Sequence, residues 1–253
     1  MVGGTLLAFA TILKLFPAVL VVVLVLQRRL RALLAFVVGL VCFVLLGFLG
    51  GGPQRTVEWA GQIFPRYAGG FGTPNNQSLE GAIYCLFRPI AVDRVPLFGR
   101  PSAAVLQPLI DNERMGIVLG YVLGGMVVLV SLWLVGRQWR QQLAGIELPA
   151  SALLLITVLL VMPLVWYHYY TLLLIAYGIG IPYAQRERSF RLLLFISSIF
   201  IAFQRYWRIT ANLDTPLLVS FGTLGVGLLW VAFARTVYAG NPVQGVKSEA
   251  VSR

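Results

Sequence analysis

The chain has 253 residues, of which 58% are apolar and only 11% are charged, and its mean hydropathy is +0.83. Soluble domains carry about 25% charged residues, so this composition excludes a soluble enzyme and a disordered chain. The net charge of +11 comes from basic residues scattered between apolar runs, which does not fit the basic stripe of a nucleic-acid-binding protein. The sequence therefore predicts an integral membrane protein.

Windows of about 19 apolar residues predict about seven transmembrane helices, so the expected fold is an all-α polytopic helical bundle. The predicted spans are Thr5–Leu26, Ala32–Leu49, Met115–Val135, Ala150–Val165, Tyr169–Tyr183, Leu192–Phe203 and Pro216–Ala234. They form one transmembrane domain over residues 1–238, with an outer loop at 50–114 and a cytoplasmic tail at 239–253.

The short basic loops predict the orientation of the chain. Alternate connections, beginning with Arg28–Arg31, are short and basic, and such loops face the cytoplasm. The N-terminus and the loop at 50–114 are then outside. An outside start at Met1 without a charged leader is unusual, so we expect upstream sequence to be missing. An uncleaved signal anchor would give the same orientation without truncation.

The long outer loop contains two predicted short helices. Thr56–Phe64 is typical of an amphipathic helix at the membrane interface. Ser78–Phe87 begins with a capping serine and carries Glu80 in its first turn. We interpret the acidic residues of the outer loops, Glu80 included, as ordinary loop acids. The two cysteines, Cys42 and Cys85, fit no metal or redox spacing, and no cofactor is expected.

The single histidine, His168, follows Pro163 within the aromatic run Trp166–Tyr170. Aromatic residues gather at both membrane interfaces, which is the simpler interpretation of this run. A proline that breaks a helix, however, frees backbone groups that must be satisfied by protein or in a cavity. A buried site at this break is the alternative.

Polar residues stand out in three further places. The amides of Asn75-Asn76-Gln77 suit sugar hydroxyls, and the helix start at Ser78 suits an anion, although a polar turn with a cap explains this segment equally well. Lys14 lies in the middle of an apolar run beside Pro17, where a lysine either faces a cavity or snorkels. Arg88 follows Phe87 and fits contact with a lipid phosphate.

Three segments together resemble a known family. They are Leu13-Lys14-Leu15-Phe16-Pro17-Ala18, followed by a span and Arg28-Arg29-Leu30-Arg31-Ala32-Leu33, then Asn75-Asn76-Gln77-Ser78-Leu79-Glu80-Gly81, and then Pro163 with Trp166-Tyr167-His168-Tyr169. Their order and spacing resemble glycosyltransferase family 87, polytopic GT-C enzymes similar to the polyprenol-phosphate-mannose-dependent mannosyltransferases. The resemblance covers nearly all of this chain, but only the middle and C-terminal part of a family member.

The resemblance implies a hexosyltransferase of the bacterial plasma membrane. It would transfer mannose from a polyprenyl-phosphate donor to a lipid or glycan acceptor on the outer face. The substrate-binding residues that it implies are Lys14, Asn75, Asn76, Gln77, Ser78, Arg88, Trp166, His168 and Tyr169.

The family's catalytic aspartate has no counterpart in this chain, so the catalytic residue is unknown and we expect the chain alone to transfer little sugar. The alternative is a transporter or flippase-like protein for an amphipathic lipid. A transporter would more often have repeat symmetry or paired broken helices, and neither is evident in the sequence.

Overall fold

The computed structural model describes residues 1–14, 16–63, 75–93, 95, 101–141, 147–216 and 220–240. Of these described residues, 81% are helical, which agrees with the predicted helical class. The chain divides into two compact units, Met1–Gly69 and Gly70–Arg253, and each is described by itself. The predicted cytoplasmic tail lies outside the described residues, apart from residues 239 and 240.

The first unit contains four α-helices and two short helical turns among its described residues. They are α1 (Val2–Leu13), a 3-10 helix (Phe16–Leu20), α2 (Val21–Leu26), α3 (Leu30–Gly51), α4 (Pro53–Glu58) and a π-helical turn (Trp59–Ile63). The last two cover the described part of the predicted helix Thr56–Phe64, with an earlier start at a proline.

Small residues bring α1 and α3 into close contact. A β-carbon on Gly4 would lie 2.0 Å from the carbonyl oxygen of Ala32, and one on Gly39 would lie 3.1 Å from the β-carbon of Ala8. Glycine lets helix backbones approach in this way inside a membrane. Since these contacts advance along both helices in the same sense, α1 and α3 run parallel.

The predicted first span, Thr5–Leu26, is wrong as a single helix. α1 ends at Leu13, Lys14 has extended backbone (φ −154°, ψ 125°), and the next described helix begins at Phe16. The physical reason is Pro17, which has no amide hydrogen to donate to the carbonyl of Leu13 four residues earlier and whose ring crowds that carbonyl.

The beginning of α3 lies at the same end of the first unit as the beginning of α1. Met1 lines a surface pocket of about 530 Å³ together with residues 28–32, and Arg28 has a left-handed backbone (φ 50°) where the direction changes. Within this unit Met1 and Arg28–Arg31 therefore lie at the same end. The predicted placement of these two segments on opposite sides of the membrane does not agree with this geometry.

The second unit begins with a short helix and a hairpin. They are α5 (Leu79–Phe87), β1 (Ile90–Asp93) and β2 (Ala103–Leu106). The two strands pair antiparallel, with Ile90 opposite Leu106, and pack on the buried Cys85. The helix from Ser78 was predicted. The strands were not, because apolar runs of four residues do not distinguish strand from helix.

The other described elements of the second unit are helices. Its longer helices are α6 (Glu113–Arg140), α7 (Glu147–Val161), α8 (Leu173–Arg186), α9 (Arg188–Phe203) and α11 (Phe221–Ala239), with the short α10 (Trp207–Thr210) before the last. α7 lies at the centre, since every residue from Ala152 to Leu160 is buried. A helix that is apolar on all sides is typical of such a position.

Within the described part of the chain, three helices are long and apolar enough to cross a membrane: α3, α6 and α11. They coincide with the predicted second, third and seventh spans. The predicted fourth, fifth and sixth spans correspond to α7, α8 and α9, of 15, 14 and 16 residues, which are shorter than the roughly 20 residues of a full crossing. A helical membrane protein is thus supported, whereas the count of seven spans stays a prediction.

Two buried hydrogen-bond clusters attach α11 to its neighbours. The indole N–H of Trp230 donates to the hydroxyl oxygens of Ser131 (2.9 Å) and Thr157 (3.2 Å), which join α11 to α6 and α7. The hydroxyl of Ser197 on α9 donates to the carbonyl oxygen of Gly225 at 2.7 Å. Such interhelical bonds average about 0.6 kcal/mol each in membrane proteins, and here they fix the position of α11.

Candidate functional site

The site is built on the interruption between α7 and α8. Helical hydrogen bonding ends with the amide of Met162, which donates to Val158. Residues 164–166 are non-helical, and a 3-10 helix follows over Tyr167–Leu172. Pro163 accounts for the interruption because it cannot donate a hydrogen bond. The sequence predicted this break at the same proline.

Asn76 satisfies the backbone groups that the break leaves without helical partners. Its Nδ2 donates to the carbonyl oxygen of Pro163 (2.8 Å), and its Oδ1 accepts from the amides of Val165 (2.9 Å) and Ser78 (3.2 Å). In addition, the amide of Gln77 donates to the carbonyl oxygen of Val165 (2.7 Å). Two segments almost 90 residues apart are therefore docked by their backbones, as the cost of unsatisfied groups at membrane depth requires.

The same polar segment begins α5 and contacts α11 on its other side. The Ser78 hydroxyl accepts from the amide of Gly81 at 2.9 Å, which is the predicted N-cap. The Thr223 hydroxyl donates to the carbonyl oxygen of Gln77 at 2.9 Å, and the Tyr170 hydroxyl donates to the same oxygen at 3.3 Å. Asn76, Gln77 and Ser78 are each no more than 1% exposed.

Sequence reasoning missed the contribution of α11. A β-carbon on Gly222 would lie 2.5 Å from the Tyr170 hydroxyl, so only glycine fits there, and the amide of Gly222 donates to the Gln204 side chain at 2.7 Å. The available signal was the Gly222-Thr223 pair at the start of an apolar helix. By itself such a pair is indistinguishable from ordinary helix packing.

The aromatic turn after the break faces outward. His168 is exposed, its ring centroid lies 4.6 Å from that of Tyr169 and 6.3 Å from that of Trp166, and Trp166 is 40% exposed. The Thr171 hydroxyl donates to the backbone carbonyl of His168 at 2.9 Å, which helps to fix the turn. An imidazole and two aromatic faces are thus presented together, beside a buried polar anchor.

Arg88 lies at the end of α5 in a cluster of exposed polar side chains. It donates to the Tyr84 hydroxyl at 3.0 Å and lies 3.5 Å from the Glu113 carboxylate, and Tyr84 donates to the same carboxylate at 2.5 Å. The hydrogen bond with Tyr84 raises the pKa of Arg88. The guanidinium is therefore cationic but paired with Glu113, which weakens its attraction for a phosphate.

Glu80 is a buried carboxyl that the sequence analysis treated as an ordinary loop acid. It is 8% exposed, and a β-carbon on Gly120 of α6 would lie 3.2 Å from its γ-carbon. Burial raises the pKa of its carboxyl, since removal from water disfavours the charged form. Its side chain packs at the contact between α5 and α6. The residues around Glu80 in the sequence did not predict this burial.

The remaining predicted residues are placed as follows. Lys14 lies in the first unit, exposed at the interruption after α1, and is described only with that unit. Asn75 is half-buried at the turn before Asn76. The structure thus joins the Asn76–Ser78 segment to the break that precedes Trp166–Tyr169. No group of metal ligands occurs among the described residues.

Long apolar helices around a polar, proline-broken turn support a helical membrane protein. Residues 1–110 match the model of glycosyltransferase family 87. The match confirms the resemblance over that part of the chain, which includes Lys14, Asn75–Ser78 and Arg88, and it indicates a membrane glycosyltransferase. Neither the curated proteins nor the solved structures contain a match to this chain.

Proposed function

We propose that this protein is a glycosyltransferase of the bacterial plasma membrane that takes a hexose, mannose in the favoured case, from a polyprenyl-phosphate carrier. The acceptor is a lipid or glycan on the outer face. The observation that carries the proposal is the docking of Asn76–Ser78 onto the break before His168, in a chain whose residues 1–110 match a glycosyltransferase family.

The residues of the site divide between positioning and contact. Asn76 and the backbone of Gln77 are engaged with the break and with α11, so their role is to hold the turn. His168, Trp166 and Tyr169 present exposed or half-buried rings. We assign the imidazole to hydrogen bonds with donor phosphate or sugar hydroxyls and the two aromatic faces to the sugar and the first isoprene units.

Each unit contains one cationic candidate for contact with phosphate, and each is considered by itself. Lys14 is exposed at the interruption of the first unit, and Arg88 is half-exposed beside Glu113. An arginine can contact phosphate with two parallel N–H donors, provided that the ion pair with Glu113 opens. We therefore expect Glu113→Gln to strengthen donor binding if Arg88 contacts the phosphate.

The test measures donor binding separately from sugar transfer, since no catalytic carboxylate is identified. The purified full chain in detergent is titrated with polyprenyl-phosphate mannose, and membranes are assayed for transfer of radiolabelled mannose. His168→Ala should weaken donor binding about tenfold, the scale of one lost hydrogen bond to a charged group. Trp166→Ala should weaken it by about the same factor, because one ring face is lost. Tyr121→Ala is the control, because Tyr121 is a 57% exposed aromatic on α6.

Unchanged donor binding in both site variants would show that the aromatic turn does not contact the donor. Binding of polyprenyl phosphate with no preference for the mannosylated form would contradict a sugar-donor site and leave a lipid-phosphate site.

A transporter or flippase-like protein is the second candidate, and one observation favours it. Among the described residues, one helical segment is interrupted after Leu13 and another at Pro163, and broken helices are typical of transporter binding sites. Reconstitution into vesicles with a fluorescent lipid in one leaflet separates the two functions. Lipid movement without any sugar transfer would favour the flippase, whereas transfer without movement would favour the enzyme.

A further inference from the structure

The end of α6 carries an arginine that lies beside two aromatic rings. The guanidinium carbon of Arg137 lies 4.5 Å from the ring centroid of Tyr238 on α11 and 5.8 Å from that of Trp133 on its own helix. The Gln138 side chain donates to the backbone carbonyl of Tyr238 at 3.2 Å, which fixes the two helices at this level. The guanidinium is therefore oriented before any ligand binds, and cation–π contact stabilises it there.

Beside this arginine lies a pocket of positive charge. Its volume is about 340 Å³, and its lining is Leu132, Trp133, Gly136, Arg137, Arg140 and Gln141. Two guanidinium groups and no carboxylate line it among the described residues. The nearby Glu187 lines a separate pocket that includes Tyr238, and there it lies 3.5 Å from Arg235. The electrostatics of the pocket thus favour an anion with oxygen acceptors.

An exposed apolar stripe on α6 leads to this pocket. Val122, Met126, Leu129 and Trp133 are 52%, 54%, 68% and 57% exposed. Their spacing of three or four residues places them on one face, and the next positions of that face are Arg137 and Arg140. From Met126 to Arg137 the helix rises about 16 Å, close to the ~15 Å of one leaflet of the hydrocarbon core.

We propose that this pocket binds an anionic phospholipid. Its phosphodiester contacts Arg137 and Arg140, and one acyl chain lies along the stripe from Trp133 to Met126. The stripe favours a lipid over free phosphate as the source of the anion, because a soluble ion would gain nothing from an apolar face. The proposal is independent of the proposed sugar transfer, since it involves neither the Pro163 break nor the aromatic turn.

Native mass spectrometry of the full chain in detergent tests the site with phosphatidylglycerol and phosphatidylcholine of identical acyl chains. The wild type should retain phosphatidylglycerol preferentially. Arg137→Ala and Arg140→Ala should each reduce that retention about tenfold, the loss expected for a charge-assisted hydrogen bond. Arg191→Ala is the matched control, because Arg191 is an exposed arginine near the start of α9 and lies outside the pocket.

Equal retention of the two lipids by the wild type would overturn the proposal, as would full retention by the Arg140→Ala variant. Arg140 is exposed, so its replacement keeps the test valid even if Arg137→Ala fails to fold. Inorganic phosphate in excess should not displace phosphatidylglycerol. Displacement by phosphate alone would contradict the role of the apolar stripe and identify a free-anion site.

Discussion

Asn76→Ala is the substitution that most directly tests how the site is held together. The side chain makes three hydrogen bonds, one to Pro163 and one each from the amides of Val165 and Ser78. At about 1 kcal/mol net for each bond, we expect the free energy of unfolding to fall by about 3 kcal/mol. Asn75→Ala removes the neighbouring, half-buried amide and should change stability by no more than about 0.5 kcal/mol.

Two measurements distinguish local from general destabilisation. Equilibrium unfolding in mixed micelles, followed by circular dichroism, gives the overall change for both variants. Hydrogen exchange then reports on single amides. The amide of Val165 loses its acceptor in Asn76→Ala and should exchange at least about tenfold faster. The amide of Met162, which donates to Val158 within α7, should not. Equal stability of the Asn76 and Asn75 variants, with slow exchange retained at Val165, would refute the reasoning.

Gly222→Ala should destabilise the protein by about 1–3 kcal/mol through overpacking, because the new methyl group would lie 2.5 Å from the buried Tyr170 hydroxyl; thermal unfolding at unchanged expression checks this. Trp230→Phe should cost about 0.6–1.7 kcal/mol, since the ring stays apolar but two hydrogen bonds to buried hydroxyls are lost, and a stability equal to wild type would contradict it. Glu80→Gln should stabilise the protein at pH 7. Burial raises the pKa of Glu80 above 4.5, so wild-type stability falls as the pH rises through the folded-state pKa, and the advantage of the variant should vanish below about pH 4.5 in unfolding curves recorded across this range.

The parts of the site that were predicted from sequence are those with local causes. Pro163 interrupts a helix wherever it occurs in one, and Ser78 caps the helix that follows it because its hydroxyl reaches an amide three residues later. Both features depend on only a few neighbouring residues. The sequence also required that the backbone groups freed by Pro163 find partners, although it did not identify Asn76 as the partner.

Other features depended on contacts that a hydropathy window does not contain. The first predicted span treated Lys14 and Pro17 as part of one apolar helix. In the structure the helix is interrupted there, and Arg28 lies at the same end of the first unit as Met1. Likewise, the burial of Glu80 depends on a close approach to Gly120 on another helix. A charged residue in a short loop helix has no local signature of such burial.

The sequence by itself determined that this is a helical membrane protein, that a helix is interrupted at Pro163, and which polar residues are too costly to leave unpartnered in a membrane. These conclusions follow from composition, proline geometry and desolvation, which are properties of short segments. Only the tertiary structure decided that Asn76 bonds to Pro163 and Val165, that Thr223 and Gly222 complete the site, and that Arg137 is held over Tyr238. These pairs are separated by some 50 to 150 residues, and which of many chemically suitable partners meet is fixed by how the helices pack together.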